Sequence, residues 1–225
     1  NAAYYLFAHD FLIARMTGRP ATDYTTAAGS LLFNIRDFEW DKALALEYGV
    51  DVRRFAPCMP AGTVAGGLCT EAAEAMGLAG GLPVVVGAQD QKCAAFAAGL
   101  EEGVATLSLG TSSAVTAHTR RPLFDEATAI PCFPYLWKGA WVLEAPLVTT
   151  GATLRWLRAV ARGLGAQTVD YPDLMRLAEQ SPVGARGVRC FPFLAGAGAP
   201  HWQEDAKGAF MGNGLDAQAG DLARA

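Results

Sequence analysis

The sequence predicts an α/β fold, and two local patterns carry that prediction. In the first, the β-branched run Val84–Val86 ends in small residues, and an alanine-rich run with helical character follows Asp90. In the second, residues 104–110 and 113–118 read as strands on either side of a short polar turn. A strand, a tight turn and a helix, followed by further strands, are typical of an open α/β sheet.

Composition limits the size of the fold and the kinds of partner. The chain has 225 residues, 52% apolar and 18% charged, so it can bury a substantial core in one or two domains. Its net charge is −4 and its basic residues do not cluster beyond pairs such as Arg53-Arg54, which disfavours nucleic acid as a partner. No apolar run reaches transmembrane length and residues 2–16 lack a basic start, so we expect neither a membrane partner nor a signal peptide.

The cysteines indicate a reducing compartment. An odd count in a chain of this size favours free thiols and a cytoplasmic location. Cys93, three residues after Asp90, is interpreted as a small buried apolar residue. None has zinc-ligand spacing, and the five are Cys58, Cys69, Cys93, Cys132 and Cys190.

The first hundred residues predict mainly helices with one strand. Gly18 and Gly49 each end a periodic segment, and Thr70 has the character of a helix N-cap. The predicted elements are a helix over 3–17, a short helix over 40–48, a helix from Thr70 to Gly77, a buried strand over 83–88 and a helix over 91–100.

Residues 101–103, Glu-Glu-Gly, break the pattern, and we place a domain boundary there. Strands dominate at first after the break, and Pro172 lies in the first turn of a later helix, where proline is tolerated. The predicted elements are strands over 104–110, 113–118 and 141–146, helices over 150–163 and 171–180, and a strand over 189–194. Both ends of the chain are expected to belong to a longer protein.

Asp90 is the first candidate for chemistry. Ligands of open α/β sheets bind beyond the carboxyl ends of strands, and Asp90 follows the predicted strand. The alternative is that Asp90 only caps its helix, a role that aspartate commonly fills.

The turn Gly110-Thr111-Ser112-Ser113 is the second candidate. Its glycine allows close backbone approach, and its hydroxyl and N–H groups can hold phosphate oxygens. An ordinary hairpin is one alternative. A serine hydrolase is another, because Gly110 to Ala114 comes close to a G-x-S-x-G nucleophile elbow, although Ala114 replaces the final glycine.

Six segments, in family order, resemble the FGGY carbohydrate kinases, which include xylulose, gluconate and glycerol kinases. The resemblance spans nearly the whole chain and does not rest on any single short motif. The segments are Thr17 to Asn34 with Trp40-Asp41, Gly66 to Val84, Gly87 to Gln91, Leu109 to Ser113, Gly151 to Arg158, and Phe193 to Phe210.

The resemblance implies an actin-like ATPase (ribonuclease H-like) fold of two domains, incomplete at both ends. Residues 1–102 would be the C-terminal part of the first, sugar-binding domain. Residues 103–225 would be the N-terminal part of the second, nucleotide-binding domain.

The resemblance also implies ATP-dependent phosphorylation of a sugar or polyol hydroxyl, with ATP and Mg²⁺ as cofactors. Asp90 would be the catalytic general base and would bind substrate together with Gln91. Gly110, Thr111, Gly151 and Arg155 would bind the nucleotide, although glycerol kinases carry Gln at position 155. No metal-ligating residue is assigned.

The substrate remains open between family members. The run from Thr22 to Asn34 and the turn at Gly110 look like xylulose kinases, so a ketopentose such as xylulose is favoured. The loop from Gly196 to Trp202 looks more like glycerol kinases. The partner would be a small sugar or polyol, with a homodimer as a candidate assembly. A non-catalytic actin-like binding module is the remaining alternative.

Overall fold

Helices and strands alternate along the chain in the computed structural model, which describes residues 2–166 and 168–225. The helices are α1 Ala8–Thr17, α2 Tyr24–Ala28, α3 Lys42–Glu47, α4 Thr70–Met76, α5 Asp90–Ala97, α6 Gly151–Gly163, α7 Tyr171–Gln180 and α8 Ala219–Arg224. The strands are β1 Thr22–Asp23, β2 Phe33–Asn34, β3 Glu39–Trp40, β4 Cys58–Met59, β5 Val64–Gly67, β6 Pro83–Val85, β7 Ala105–Leu109, β8 Ser113–Thr119, β9 Cys132–Pro134, β10 Trp141–Leu147, β11 Arg189–Phe191 and β12 Ala209–Met211.

The strands form one larger sheet and several two-stranded pairs. The larger sheet has the order β7-β8-β10-β9, and Trp141 of β10 lies opposite Pro134 of β9 in an antiparallel register. Strands β1 and β4 pair in parallel, whereas β2 with β3, β5 with β6, and β11 with β12 pair antiparallel. No helix in the described residues combines the length and apolar character required to cross a bilayer.

The starts of two helices in the first part of the chain differ from the prediction. Helix α1 begins at Ala8, not at residue 3, because the Tyr5 N–H donates to the Arg54 carbonyl at 2.7 Å and holds that segment extended. Gly18 ends α1 as predicted, with φ of 77° in the left-handed region. Helix α4 begins at Thr70 itself, so the N-cap is Cys69.

The predicted buried strand over 83–88 is shorter and more exposed than expected. Strand β6 ends at Val85, and both Pro83 and Val85 are exposed. Val86 is buried, but its N–H donates to Thr63 in the loop before β5, at 2.8 Å. The β-branched run therefore supplies one core residue and a short edge, because its backbone leaves the strand pair after Val85.

The chain divides into two units. The first comprises Asn1–Thr106, Thr116–Phe124 and Pro131–Glu144, and the second comprises Leu107–Val115, Asp125–Ile130 and Ala145–Ala225. The domain boundary that the sequence places at residues 101–103 stays a prediction.

Aromatic side chains build much of the core of the first unit. Phe38 and Trp141 pack with ring centroids 5.2 Å apart, and the Trp141 indole N–H donates to the Ile35 carbonyl at 2.8 Å. A neighbouring cluster places Ala95 of α5 against Tyr135, which is fully buried. This second cluster fixes the buried side of α5, the helix that carries Asp90.

Helices α6, α7 and α8 shape the second unit. The observed bounds of α7 confirm the predicted helix over 171–180, and α6 agrees with the predicted helix over 150–163 to within one residue. Asp221 of α8 is fully buried and accepts from the Ser181 hydroxyl at 2.6 Å and from the Arg186 guanidinium at 2.7 Å. The end of α7 is thereby tied to α8 through a buried carboxylate.

Candidate active-site residues

Asp90 is an exposed carboxylate in the first turn of α5. The N-cap is Gln89, so the prediction of Asp90 at the N-cap is wrong by one residue. The Asp90 Oδ1 atom accepts the Gln91 N–H at 2.7 Å, and Gln91 itself is half-buried beside it. Within residues 2–166 and 168–225, no basic side chain forms an ion pair with Asp90. The carboxylate is therefore exposed and is not neutralised by a neighbouring cation of the described residues.

A hydrogen-bonded chain from β1 reaches the residue just before Asp90. The Gln89 N–H donates to the Thr25 hydroxyl oxygen at 2.8 Å, and that hydroxyl donates to Asp23 Oδ1. Asp23 Oδ1 also accepts the backbone N–H groups of Thr25 at 2.7 Å and Thr26 at 3.1 Å, which caps α2. The sequence analysis used this stretch for the family resemblance and predicted no helix in it. The signal that could have indicated the helix start is Asp23 itself, because aspartate is a preferred N-cap residue.

Two further polar groups lie behind Asp23. Asp10 and Asp23 are each 1% exposed, and His9 Nε2 lies 3.1 Å from Asp10 Oδ1 and 3.5 Å from Asp23 Oδ2. Burial raises the pKa of Asp10, partly offset by the Phe7 N–H that donates to Asp10 Oδ2 at 3.0 Å. Burial also raises the pKa of the Cys58 thiol, and the carboxylates of Asp10 and Asp23 raise it further. The first unit therefore buries several polar groups around Asp23.

Helix α5 is held from its other side by a buried ion pair. Lys92 Nζ lies 2.8 Å from Glu144 Oε2 and 4.2 Å from the centroid of the Phe133 ring. Lys92 and Ala95 face inward, whereas Cys93 is exposed, so the prediction that Cys93 is buried is wrong. The helical turn that buries a lysine for this ion pair turns the cysteine toward solvent.

In the second unit, the Gly110-Thr111 turn is bonded to the first residues of α6. The Gly151 N–H donates to the Gly110 carbonyl at 3.0 Å, and the Thr150 and Ala152 N–H groups each donate to the Thr111 carbonyl at 3.1 Å. A Cβ added to Gly151 would lie 2.5 Å from the Gly110 oxygen. Gly151 thus lets the turn approach the helix. The Thr150, Gly151 and Ala152 N–H groups at the start of α6 are used by the turn.

All four residues predicted to bind nucleotide line one open cleft. Thr111 and Arg155 are exposed, so their hydroxyl and guanidinium groups are available to an anion. The cleft has a volume of about 270 Å³ and is lined by Gly110, Thr111, Gly151, Leu154, Arg155 and Tyr171.

The turn does not have the geometry of a nucleophile elbow. Ser112 is followed by strand β8, which begins at Ser113, whereas an elbow requires a helix directly after the serine. Ser113 is buried and its hydroxyl lies 2.6 Å from the Thr150 hydroxyl. The strand geometry argues against the hydrolase alternative.

The donor set fits a nucleotide better than a metal ion. A threonine hydroxyl and a guanidinium in an open cleft match phosphate oxygens. The described stretches bring together no group of three or more His, Cys, Asp or Glu side chains that could hold a metal ion. Mg²⁺ commonly binds through substrate phosphates and one or two carboxylates, so it does not require such a group.

Two family models together match almost the whole chain. The model described as the FGGY family of carbohydrate kinases, N-terminal domain, matches residues 1–97, and the model for the C-terminal domain of that family matches residues 105–225.

The names of individual relatives indicate different substrates. A gluconokinase of Bacillus licheniformis is 27% identical over 221 residues, covering 94% of this chain and 42% of the relative. A glycerol kinase of Alkalilimnicola ehrlichii is 31% identical over 221 residues, covering 96% of this chain and 43% of the relative. A solved structure of ligand-bound xylulose kinase from Lactobacillus acidophilus is 26% identical, with a TM-score of 0.88 over 100% of this chain and 45% of that one.

This chain spans less than half the length of each of these relatives. The structural match confirms the predicted actin-like ATPase fold class.

Proposed function

Because the chain belongs to the FGGY family of carbohydrate kinases, we propose that the protein phosphorylates a sugar or polyol hydroxyl with ATP. The observation that carries the proposal is the exposed Asp90 carboxylate in the first turn of α5, without an ion-pair partner in the described residues. A sugar hydroxyl is a poor nucleophile at neutral pH, and a carboxylate within hydrogen-bond reach can orient it and accept its proton.

The roles proposed for the first unit follow from side-chain chemistry. Asp90 accepts the proton of the attacking hydroxyl, while the Gln91 amide binds a neighbouring hydroxyl of the same substrate. The bond from the Gln91 N–H to Asp90 Oδ1 supports this pairing, because it orients the Asp90 carboxylate beside Gln91.

The roles proposed for the second unit concern ATP. Thr111 and Arg155 would contact phosphate oxygens, with Arg155 neutralising charge that builds up during transfer. Gly110 and Gly151 would shape the cleft by allowing the turn and α6 to approach each other, which their hydrogen bond supports. Phosphoryl transfer needs mainly positioning and charge neutralisation, which these groups can supply.

We extend the proposal to organisation, location and substrate. Residues 1–102 would belong to the sugar-binding domain and residues 103–225 to the nucleotide-binding domain. The five free cysteines fit a cytoplasmic enzyme. A ketopentose such as xylulose is the proposed acceptor, supported by the xylulose kinase neighbour, while the gluconokinase and glycerol kinase relatives define the competing acceptors.

The test is an ADP-release assay of the protein at its full natural length against xylulose, gluconate and glycerol. We expect ADP release to depend on one of these acceptors, with xylulose giving the highest kcat/KM. Asp90→Asn should lower kcat by at least about 100-fold, the usual contribution of a general base, while ATP binding persists. Asp205→Asn changes an exposed carboxylate of the second unit in the same way and should leave kcat unchanged.

Three results would count against the proposal. Near-normal turnover of Asp90→Asn would remove Asp90 from the role of base. ATP binding without acceptor-dependent ADP release would favour the non-catalytic binding module. Covalent labelling of Ser112 by a serine-reactive phosphonate would restore the hydrolase alternative.

A further inference from the structure

We propose that Thr25 is a positioning residue that holds Asp90 in its reactive geometry through the backbone of Gln89. The proposal rests on the proposed function, because it assigns a role relative to the base of that reaction. Thr25 lies in α2 and is 64 residues from Gln89 in the sequence, so this tie comes from the tertiary fold.

The hydroxyl of Thr25 makes two bonds that together join α2 to the start of α5. It accepts the Gln89 N–H at 2.8 Å and donates to Asp23 Oδ1. Gln89 is the N-cap of α5, and Asp90 is the next residue. A helix N-terminus leaves several N–H groups without intrahelical partners, so an acceptor at this place fixes where the helix begins.

The support behind Thr25 is rigid and buried. Thr25 is 4% exposed and Asp23 is 1% exposed. Asp23 Oδ1 also receives the backbone N–H groups of Thr25 and Thr26, so the carboxylate that orients the Thr25 hydroxyl is itself fixed. A side chain held by such secondary contacts can keep a catalytic group within the small tolerance that catalysis requires.

The Gln89 side chain does not provide an equivalent tie. Its Oε1 atom is buried and, in the part of the chain that the structure describes, has no hydrogen-bond partner. The backbone bond to Thr25 is therefore the polar contact that connects this residue to α2.

Replacing Thr25 by valine separates this role from the capping of α2. Valine keeps the shape of threonine but removes both hydroxyl bonds, while the backbone N–H of residue 25 can still donate to Asp23. Serine restores the hydroxyl. Thr26→Val is the matched control, because Thr26 contributes its backbone N–H to Asp23 and would keep it.

The experiment measures kinetics and amide hydrogen exchange in the protein at its full natural length. Thr25→Val should lower kcat about 10-fold, since displacements near 1 Å at a reacting group can cost up to about 100-fold, and should leave the KM for ATP unchanged. Amide exchange at Gln89 should become faster. Thr25→Ser should recover most of kcat and of the protection, and Thr26→Val should resemble the parent protein in both.

A double variant tests whether Thr25 acts through Asp90. Adding Thr25→Val to Asp90→Asn should cause no further loss of kcat, because the base that Thr25 positions is already absent. A further 10-fold loss in the double variant, or an unchanged kcat in Thr25→Val, would overturn the proposal. These outcomes differ from failure of the proposed function, in which Asp90→Asn alone would keep near-normal turnover.

Discussion

Gly151 meets the carbonyl of Gly110 at a distance that excludes any side chain. The Gly151 N–H donates to the Gly110 oxygen at 3.0 Å, and a Cβ on Gly151 would stand 2.5 Å from the same oxygen. Both glycines line the cleft that contains Thr111 and Arg155. The shape of the proposed nucleotide site therefore depends on a backbone contact between a turn and a helix end.

Gly151→Ala should push the turn away from α6. We expect the added methyl group to cost about 1–3 kcal/mol of unfolding free energy and to weaken ATP binding about 10-fold. Isothermal titration with ATP and urea unfolding measure the two effects. Gly163→Ala, at the other end of α6, meets nothing within 4 Å and should be neutral or slightly stabilising. Equal behaviour of the two variants would contradict this account of the cleft.

Arg155→Ala should weaken the nucleotide side selectively. A guanidinium bonded to phosphate is worth about 1.5–3 kcal/mol, so the KM for ATP should rise at least about 10-fold while the KM for the sugar stays constant. Steady-state kinetics with each substrate varied in turn provide the measurement. Arg189→Ala removes an exposed arginine from β11 and should change neither KM. A parallel rise in the sugar KM would show that Arg155 acts on the whole fold.

Lys92→Met should destabilise the first unit. It leaves Glu144, whose side chain is 14% exposed, without the ammonium that lies 2.8 Å away. Breaking a buried ion pair by removing one partner costs about 3–5 kcal/mol, which urea unfolding can resolve. Lys138→Met removes an exposed lysine of the same unit and should have little effect. The double variant Lys92→Met with Glu144→Leu should recover most of the loss, and failure to recover would mean that packing of the lysine stem dominates.

Asp221→Asn should reveal an acid-dependent tie between α7 and α8. The Ser181 hydroxyl, the Gln218 N–H and Arg186 hold the pKa of Asp221 below its ordinary value. A carboxyl group with a lowered folded-state pKa stabilises the fold above its unfolded pKa, and that contribution is lost as the pH falls through the folded pKa.

The parent protein should therefore melt above Asp221→Asn by roughly 5 °C at pH 7, and the difference should shrink as the pH falls below about 4. Thermal melts from pH 7 down to pH 3 measure this trend. Asp205→Asn removes an exposed carboxylate of the same unit and is the matched control. A difference that stayed constant with pH would assign the effect to packing and not to charge.

The parts of the fold that sequence predicted well have strong local signals. Helix α7 begins where Pro172 indicates a first helical turn, and its observed bounds match the prediction. The predicted strand over 83–88 was too long. β-Branched residues favour an extended backbone, but the length of a strand also depends on the partner with which it pairs.

The candidate site also contains residues that local sequence patterns indicated and residues that they did not. Asp90 and the Gly110 turn each lie next to a predicted strand, so the local sequence pattern was enough to single them out as candidates. Thr25 and Lys92 depend on partners 64 and 52 residues away, which no local pattern contains. Lysine is also expected on the surface, and its burial becomes understandable only once Glu144 is seen beside it.

The bond between Thr25 and Gln89 has a consequence for protein engineering. Suppose that the segment 83–97 is replaced by that of a relative, in order to change the preference for the acceptor. The new loop before α5 would then have to bond to an α2 that belongs to a different sequence. Transplanting residues 23–25 together with that segment would preserve the hydrogen bonds that link Asp23, Thr25 and Gln89 next to Asp90.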